Sequence, residues 1–522
     1  MSYLLNDDQV HDFIANGFLR LEPDVAETLH KNIARDIEFA IEKENGSYGN
    51  NIVARVPALW DIIRSRRIDG ALKSLLGPNY YVHPHRAIHI NRPVEDKTTI
   101  YPDDFDGPPM GKGSMAGSGW HQDAQSPLSR ARHHVPKFLI GFYFPHDAPP
   151  EMGPTRIQAG SHLFSQPVEP SGVIAPKDVK AGTFFLVHFD MVHAGFTNRS
   201  DFTRYMVKFV FTRVESPKEP SWNCQNRNWK NPDRTITDYT AEPAWKYIWN
   251  WMLGSPPIDR QGADLTALNG LNQAGRLESI YSCNPDQISV LAEQISALAG
   301  SGNHNRRLAK DADGKPIPRD DSRGYPRRWN ERAIVYDDAA YALAAIGEAA
   351  IPALLKLTKE EDPWVIMNAT FALGEIGRSS KEVITALARL LDHPLQQVVR
   401  QTLDALALMN CDLAIALPKI EQLLTRSNPE WQTKEVQRGW TGEDQVRLNA
   451  AFTLLSAVEG PTNNLAIEDI LTQILDDRNG YVPAVATEAL ARIGSVSASQ
   501  TALRYLQERR WDDTLRSWEK PF

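Results

Sequence analysis

The chain has 522 residues, 42% of them hydrophobic and 23% charged, and its 65 acidic side chains against 57 basic ones leave a net charge of -8. That balance supplies apolar material for packed cores in about two to four domains and excludes a largely disordered chain. The acid excess excludes a general attraction to nucleic acid or anionic lipid, so neither nucleic acid nor a membrane is an expected partner. Cys224, Cys283 and Cys411 stand far apart with no CxxC spacing. This argues against a disulfide scaffold and fits a reducing compartment. The opening MSYLLNDDQVHDF places acids where a signal peptide needs positive charge, and no apolar run reaches the roughly 20 residues of a membrane span. A cytoplasmic protein is the expectation.

Residues 1–215 mix helices with short strands. Asp7 is positioned to cap a helix carrying Val10, Phe13 and Ile14, and Gly17 to end it; a second helical pattern runs from Val25 to Ile41. The runs YVHPHRAIHI, KFLIGFYF, GTFFLVHF and FTRYMVKFVFTR then alternate with Pro, Gly and Asn turn signals. This predicts a β-sandwich or barrel with flanking helices. The glycine- and proline-rich stretch from Pro102 to Gly119 reads either as an unpacked surface loop or as a lid, since it leads directly into Trp120.

Residues 216–300 carry Trp222, Trp229, Trp245, Trp249 and Trp251, expected on helices packed against the first domain. Asn284 followed by Pro285 marks the start of another helix. A polar linker is expected over 301–332. From 333 to 522 the chain repeats: YALAAIG, FALGEIG, DALALMN, FTLLSAV and EALARIG end at 347, 377, 410, 458 and 494, in steps of 30 to 48 residues. Helical hairpins of this kind bury their apolar faces only by stacking on neighbours, which predicts an α-solenoid. The repeats resemble HEAT repeats.

The chemistry is concentrated in GWHQDAQS at 119–126. His121 and Asp123 are two apart, so on a strand both side chains point to one face. One imidazole, one carboxylate and a second imidazole from a neighbouring strand make a facial triad for Fe(II), with positions left open. His193 follows an apolar strand 72 residues later, and Arg204 lies eleven residues further. Arg204, Met206 and Lys208 share one face of an alternating strand, with Tyr205, Val207, Phe209 and Phe211 on the other. A guanidinium facing a cavity calls for an anion, and a carboxylate fits its fork best. His188 is an alternative ligand, but on a regular strand it faces away from His193 and reads as a packed side chain.

HQD, MGPTRIQAGSH at 152–162, His193 and Arg204, in that order and with the opening FIANGFLRL, resemble the phytanoyl-CoA dioxygenase family over about residues 8–215. The resemblance implies an α+β protein: a double-stranded β-helix (jelly-roll, cupin-like) oxygenase domain, followed here by the all-α HEAT-like solenoid. It implies Fe(II) held by His121, Asp123 and His193, with 2-oxoglutarate anchored by Arg204 and touched by Phe142, where the family often has tryptophan. It also implies O2 as co-reactant, with succinate and CO2 released as a small-molecule substrate is hydroxylated, desaturated or cyclised. Halogenating relatives replace the carboxylate ligand by a small residue, and this chain keeps Asp123. His85 and His89 on the strand lining the cavity, and Arg132 in the basic stretch after HQD, are candidate substrate contacts. The competing reading makes the solenoid the principal function, as a scaffold or a recruiter of a protein partner to be hydroxylated; the plainer alternative is that the repeats buttress the catalytic domain or form a homodimer.

Overall fold

The computed structural model describes residues 3–44, 49–101, 120–123, 131–164, 173–174, 176–232, 235–237, 239–254, 261–263, 273–300, 334–409, 411–432 and 441–508. The stretch 102–119 and the linker 301–332 lie outside the described residues. The chain divides into two compact units, Met1–Ala372 and Leu373–Phe522.

The first unit opens with α1 (Asp7–Asn16). Its cap is Asn6, one residue before the expected Asp7: extended Asn6 accepts from Gln9 N, and the Gln9 side chain accepts from Asn6 N in return. Asp7 is thereby released to accept from the Trp222 indole (2.7 Å) and from the backbone of Gln225 and Asn226. Gly17, at φ 79°, ends the helix as expected.

Next come β1 (Phe18–Leu21), α2 (Glu27–Glu44) and the short helices α3 (Ile52–Arg55), α4 (Leu59–Ile63) and α5 (Arg66–Leu76). The strands follow: β2 (Tyr81–Asn91), β3 (Phe138–Tyr143), β4 (Arg156–Gln158), β5 (Val173–Ile174), β6 (Phe184–His188), β7 (His193–Ala194) and β8 (Arg204–Thr212). They make a five-stranded sheet in the order β1-β6-β3-β8-β2 and a three-stranded sheet β5-β4-β7, every pairing antiparallel. β3 and β8 are buried along their whole length. Their aromatic and β-branched side chains are the type that fills a covered sheet, and Phe142, Tyr143, Phe184, Phe209 and Phe211 are among the most buried in the chain.

Helices α6 (Glu242–Met252), α7 (Gln273–Ser282), α8 (Ile288–Ser296), α9 (Asp338–Ile346) and α10 (Ile351–Leu357) complete this unit. α6 lies on α1 and α7, and both α7 and α8 lie on α9. Trp222 meets Trp249 at 4.9 Å between ring centroids, and Trp222, Trp245 and Trp249 are buried. Asn284 caps the start of the turn leading into α8.

The division between the units falls within α11 (Pro363–Ile376). The second unit holds α12 (Lys381–Leu390), α13 (Gln396–Leu408), α14 (Leu417–Thr425), α15 (Gly442–Ala457), α16 (Asn464–Gln473), α17 (Tyr481–Ile493) and α18 (Val496–Glu508). α13, α15 and α17 pack in succession, and α12, α14, α16 and α18 each lie against one of them. This is the layering of a stacked helical repeat. α15 is buried on all sides, and its charges are neutralised internally: Arg447 pairs with Glu443, Asp444 and Asp477. Among the described residues no single helix is long and apolar enough to cross a membrane.

His83, His162 and His188 are fully buried, and burial lowers the pKa of each. The unfolded chain therefore takes up protons that the folded chain refuses. Stability is complete above the unfolded histidine value of about 6.5 and falls as pH drops below it, by up to about 1.4 kcal/mol per pH unit for each group. Melting temperature is expected to decline steeply from pH 7 to pH 5.5; a flat profile would show these rings to be protonated or solvated in the fold.

Candidate metal centre

His121 and His193 are set side by side by their own backbones. His121 N donates to His193 O (3.0 Å) and His193 N to His121 O (2.9 Å), which brings the ring centroids to 4.4 Å. The alternation of the extended chain returns Asp123 to the His121 face, with His121 Nε2 3.8 Å from Asp123 Oδ1. One ligand atom from each of His121, Asp123 and His193 lies within 4.8 Å of the others, so the three side chains that the spacing singles out do converge.

Surrounding groups fix how each can donate. His193 Nδ1 donates to Met191 O (2.9 Å), leaving Nε2 for a metal. Burial, followed by the charge of His121, pushes the His193 pKa down to about 3, so its imidazole is neutral and ready to ligate near neutral pH. Burial alone would raise the Asp123 carboxyl, but the Lys208 ammonium and the two histidines hold it well below the usual carboxylate range. Lys208 Nζ donates to Oδ2, which leaves Oδ1 turned towards His121. Between these two candidate ligands, buried Gln122 donates its amide to the carbonyls of Phe164 (3.0 Å) and Asp190 (3.0 Å). The middle residue of HQD thus ties its strand to the turn that carries His193.

Arg204 sits at the start of β8 on the face it shares with Met206 and Lys208. It is 4% exposed, and Nε and Nη1 have no partner among the described residues. A buried guanidinium left open this way is costly, and burial lowers its pKa to about 10. Glycine at 195 leaves room beside it: a Cβ there would stand 3.9 Å from Arg204 Nη2.

The weaker candidates divide. Phe142 is buried, stands opposite Lys208 in the ladder, and lies 5.2 Å from the His193 ring. His89 is opposite Met206 on the same sheet face; burial first, then the charges of Lys208 and Arg204, bring its pKa to about 3. The residue as a whole is nonetheless exposed, as at the edge of a cavity. His85 falls within the register shift between His83 and Ala87, where its N–H donates to His83 Nδ1 (2.9 Å), so the parity expected across His83, His85 and His89 is broken at Pro84–Arg86. Arg132 is 2% exposed and forms a buried ion pair with Asp190, so its charge is engaged inside the fold and not offered to a substrate. Lys208 and Asp190 are the residues that sequence reasoning missed. The strand parity of Lys208 with Arg204 was the available signal for the first; nothing local marks the second.

The MGPTRIQAGSH segment builds the neighbouring sheet. Gly153 has φ 66°, and a Cβ there would lie 2.1 Å from Phe196 O, so only glycine fits. β4 follows, with Ile157 opposite His193, and Arg156 lies between the Trp120 and Phe196 rings while donating to Gly195 O (3.0 Å).

Residues 14–206 match the model of the phytanoyl-CoA dioxygenase (PhyH) family, and residues 330–408 match HEAT repeats. No curated protein matches the chain. Similar solved structures include the non-heme α-ketoglutarate-dependent carbocyclase SnoK from nogalamycin biosynthesis, at 17% identity over 40% of this chain and 85% of that one, TM-score 0.31. EctD from S. alaskensis with bound Fe is 17% identical over 45% and 86%, TM-score 0.31. The non-heme monooxygenase ThoJ as its Ni complex is 16% identical over 45% and 91%, TM-score 0.28. The chain therefore carries a phytanoyl-CoA dioxygenase (PhyH) domain over residues 14–206 and HEAT repeats over residues 330–408.

Proposed function

We propose that this protein is an Fe(II)- and 2-oxoglutarate-dependent dioxygenase acting on a small molecule, its two antiparallel sheets forming a double-stranded β-helix around the site. The observation that carries the reading is the convergence of His121, Asp123 and His193 on the sheet face of a buried, open-ended Arg204. Two imidazoles and one carboxylate are a donor set that suits Fe(II), and a planar fork with two unpartnered nitrogens suits a carboxylate. When bound, Fe(II) with 2-oxoglutarate and O2 supplies the oxidising chemistry, converting 2-oxoglutarate to succinate and CO2 as the substrate is oxidised.

The chain's own residues do the rest. His121 Nε2, Asp123 Oδ1 and His193 Nε2 would hold the metal, with Met191 O fixing the tautomer of His193 and Lys208 holding the second oxygen of Asp123. Arg204 would take the distal carboxylate of 2-oxoglutarate, and Phe142 would cover the cosubstrate and keep water out. His89, accessible on the same face, would meet the substrate. Retention of Asp123 supports hydroxylation, desaturation or cyclisation over halogenation.

The test is succinate formation from 2-oxoglutarate by purified protein with Fe(II) and O2, with a substrate panel added. Wild-type protein is expected to release succinate, and His193→Ala to fall to background. Equal release by both proteins would contradict the assignment.

A further inference from the structure

The first helix of the repeat region reaches the metal-ligand segments through a continuous set of buried contacts. Arg132 N donates to Ile334 O (3.0 Å), just ahead of α9, and Tyr341 of α9 donates its hydroxyl to Arg132 O (2.8 Å). His134 stacks on the Tyr341 ring at 4.6 Å and 16° and shares a hydrogen bond with the Tyr281 hydroxyl on α7. α9 is itself locked to α7 by the buried Arg276–Asp338 pair, whose Nε contacts are 2.8 and 2.7 Å. On its other side Arg132 pairs with Asp190 Oδ1, while His133 N donates to Asp190 Oδ2 (3.2 Å).

Asp190 is the junction. Asp190 lies three residues before the third ligand; its carbonyl accepts from Gln122, between the other two, and its own N–H donates to His188 Nδ1 (3.2 Å). An isolated surface ion pair would do little, but this one is buried, and removing one partner strands the other's charge.

We infer that Asp190 and Arg132 are positioning residues for the metal centre, and that α9 of the repeat region, through Tyr341, is part of the oxygenase unit and not an appended module. This rests on the metal-site reading above. Supporting groups at this remove from a metal typically change its affinity by about 10- to 100-fold when altered.

The experiment is Co(II) titration of the full-length chain, followed by its visible absorption, for wild type, Asp190→Asn, Tyr341→Phe and the control Leu72→Ala. The control opens a cavity in α5 and lowers the melting temperature without touching this network. Asp190→Asn keeps shape and loses only charge, and is expected to weaken Co(II) binding about 10- to 100-fold. Tyr341→Phe removes one hydroxyl and is expected to weaken it by up to about fivefold, the size of one net hydrogen bond. Leu72→Ala is expected to bind like wild type. The inference is overturned if Asp190→Asn binds within twofold of wild type, or if Leu72→Ala loses as much as it does. Should Asp190→Asn not fold, unchanged affinity in Tyr341→Phe overturns the inference by itself. Wild-type protein that binds no Co(II) at this site would instead overturn the metal-site reading, and this inference with it.

Discussion

Replacing Arg204 with methionine is expected to stabilise the protein without cosubstrate and to abolish its response to 2-oxoglutarate. The guanidinium is buried, and two of its nitrogens lack partners among the described residues, so the folded chain carries an uncompensated desolvation cost. A hydrophobic side chain of similar length removes that cost, for a gain of up to about 4 kcal/mol, the upper end of the range measured when buried ion pairs are replaced by packed apolar groups. The same change deletes the proposed partner of the distal carboxylate of 2-oxoglutarate. Losing one side of a buried, hydrogen-bonded charge pair costs about 2–5 kcal/mol, or roughly 30-fold to several thousand-fold in affinity. Thermal unfolding with Mn(II), with and without 2-oxoglutarate, reads both effects. Wild type should gain melting temperature with 2-oxoglutarate, while Arg204→Met should start higher and gain nothing. A variant that starts lower, or that still responds, would show that Arg204 is structural.

The second large effect concerns Asp123 and Lys208. Asp123→Ala removes a proposed metal ligand and also leaves the Lys208 ammonium buried without its carboxylate. Breaking a buried pair from one side costs about 3–5 kcal/mol, so this variant should be far less stable than a simple ligand deletion. The double variant Asp123→Ala, Lys208→Met should recover most of that stability and none of the metal binding. Denaturant unfolding and Co(II) titration on the single and double variants separate the two roles. If the double variant is no more stable than Asp123→Ala, the pair contributes nothing to the fold; if it still binds metal at this site, Asp123 is not a ligand.

Much of the site was legible because covalent spacing and strand parity decide it. His121 and Asp123 had to share a face, and Arg204 had to oppose Tyr205, whatever the rest of the chain did. The glycine at the end of α1 and the Asn284 cap follow from local backbone chemistry in the same way. Parity failed only at His85, where a local register shift interrupts the ladder.

Partners distant in sequence and outside any motif were invisible. Arg132 read as a candidate substrate contact because Asp190 is 58 positions away, and only the fold buries the two together. The first repeat helix shows its apolar periodicity in the sequence, but periodicity does not say what covers the face. Here the cover includes Arg132 and His134, so the first compact unit runs to Ala372.

Anaerobic titration of the metal-free protein with Fe(II) and then 2-oxoglutarate tests the central claim most directly. A visible charge-transfer band should grow to one equivalent, disappear in His121→Ala, and require far more 2-oxoglutarate in Arg204→Met. A folded wild-type protein that develops no band would contradict the assignment of His121, Asp123, His193 and Arg204 as an Fe(II)/2-oxoglutarate site.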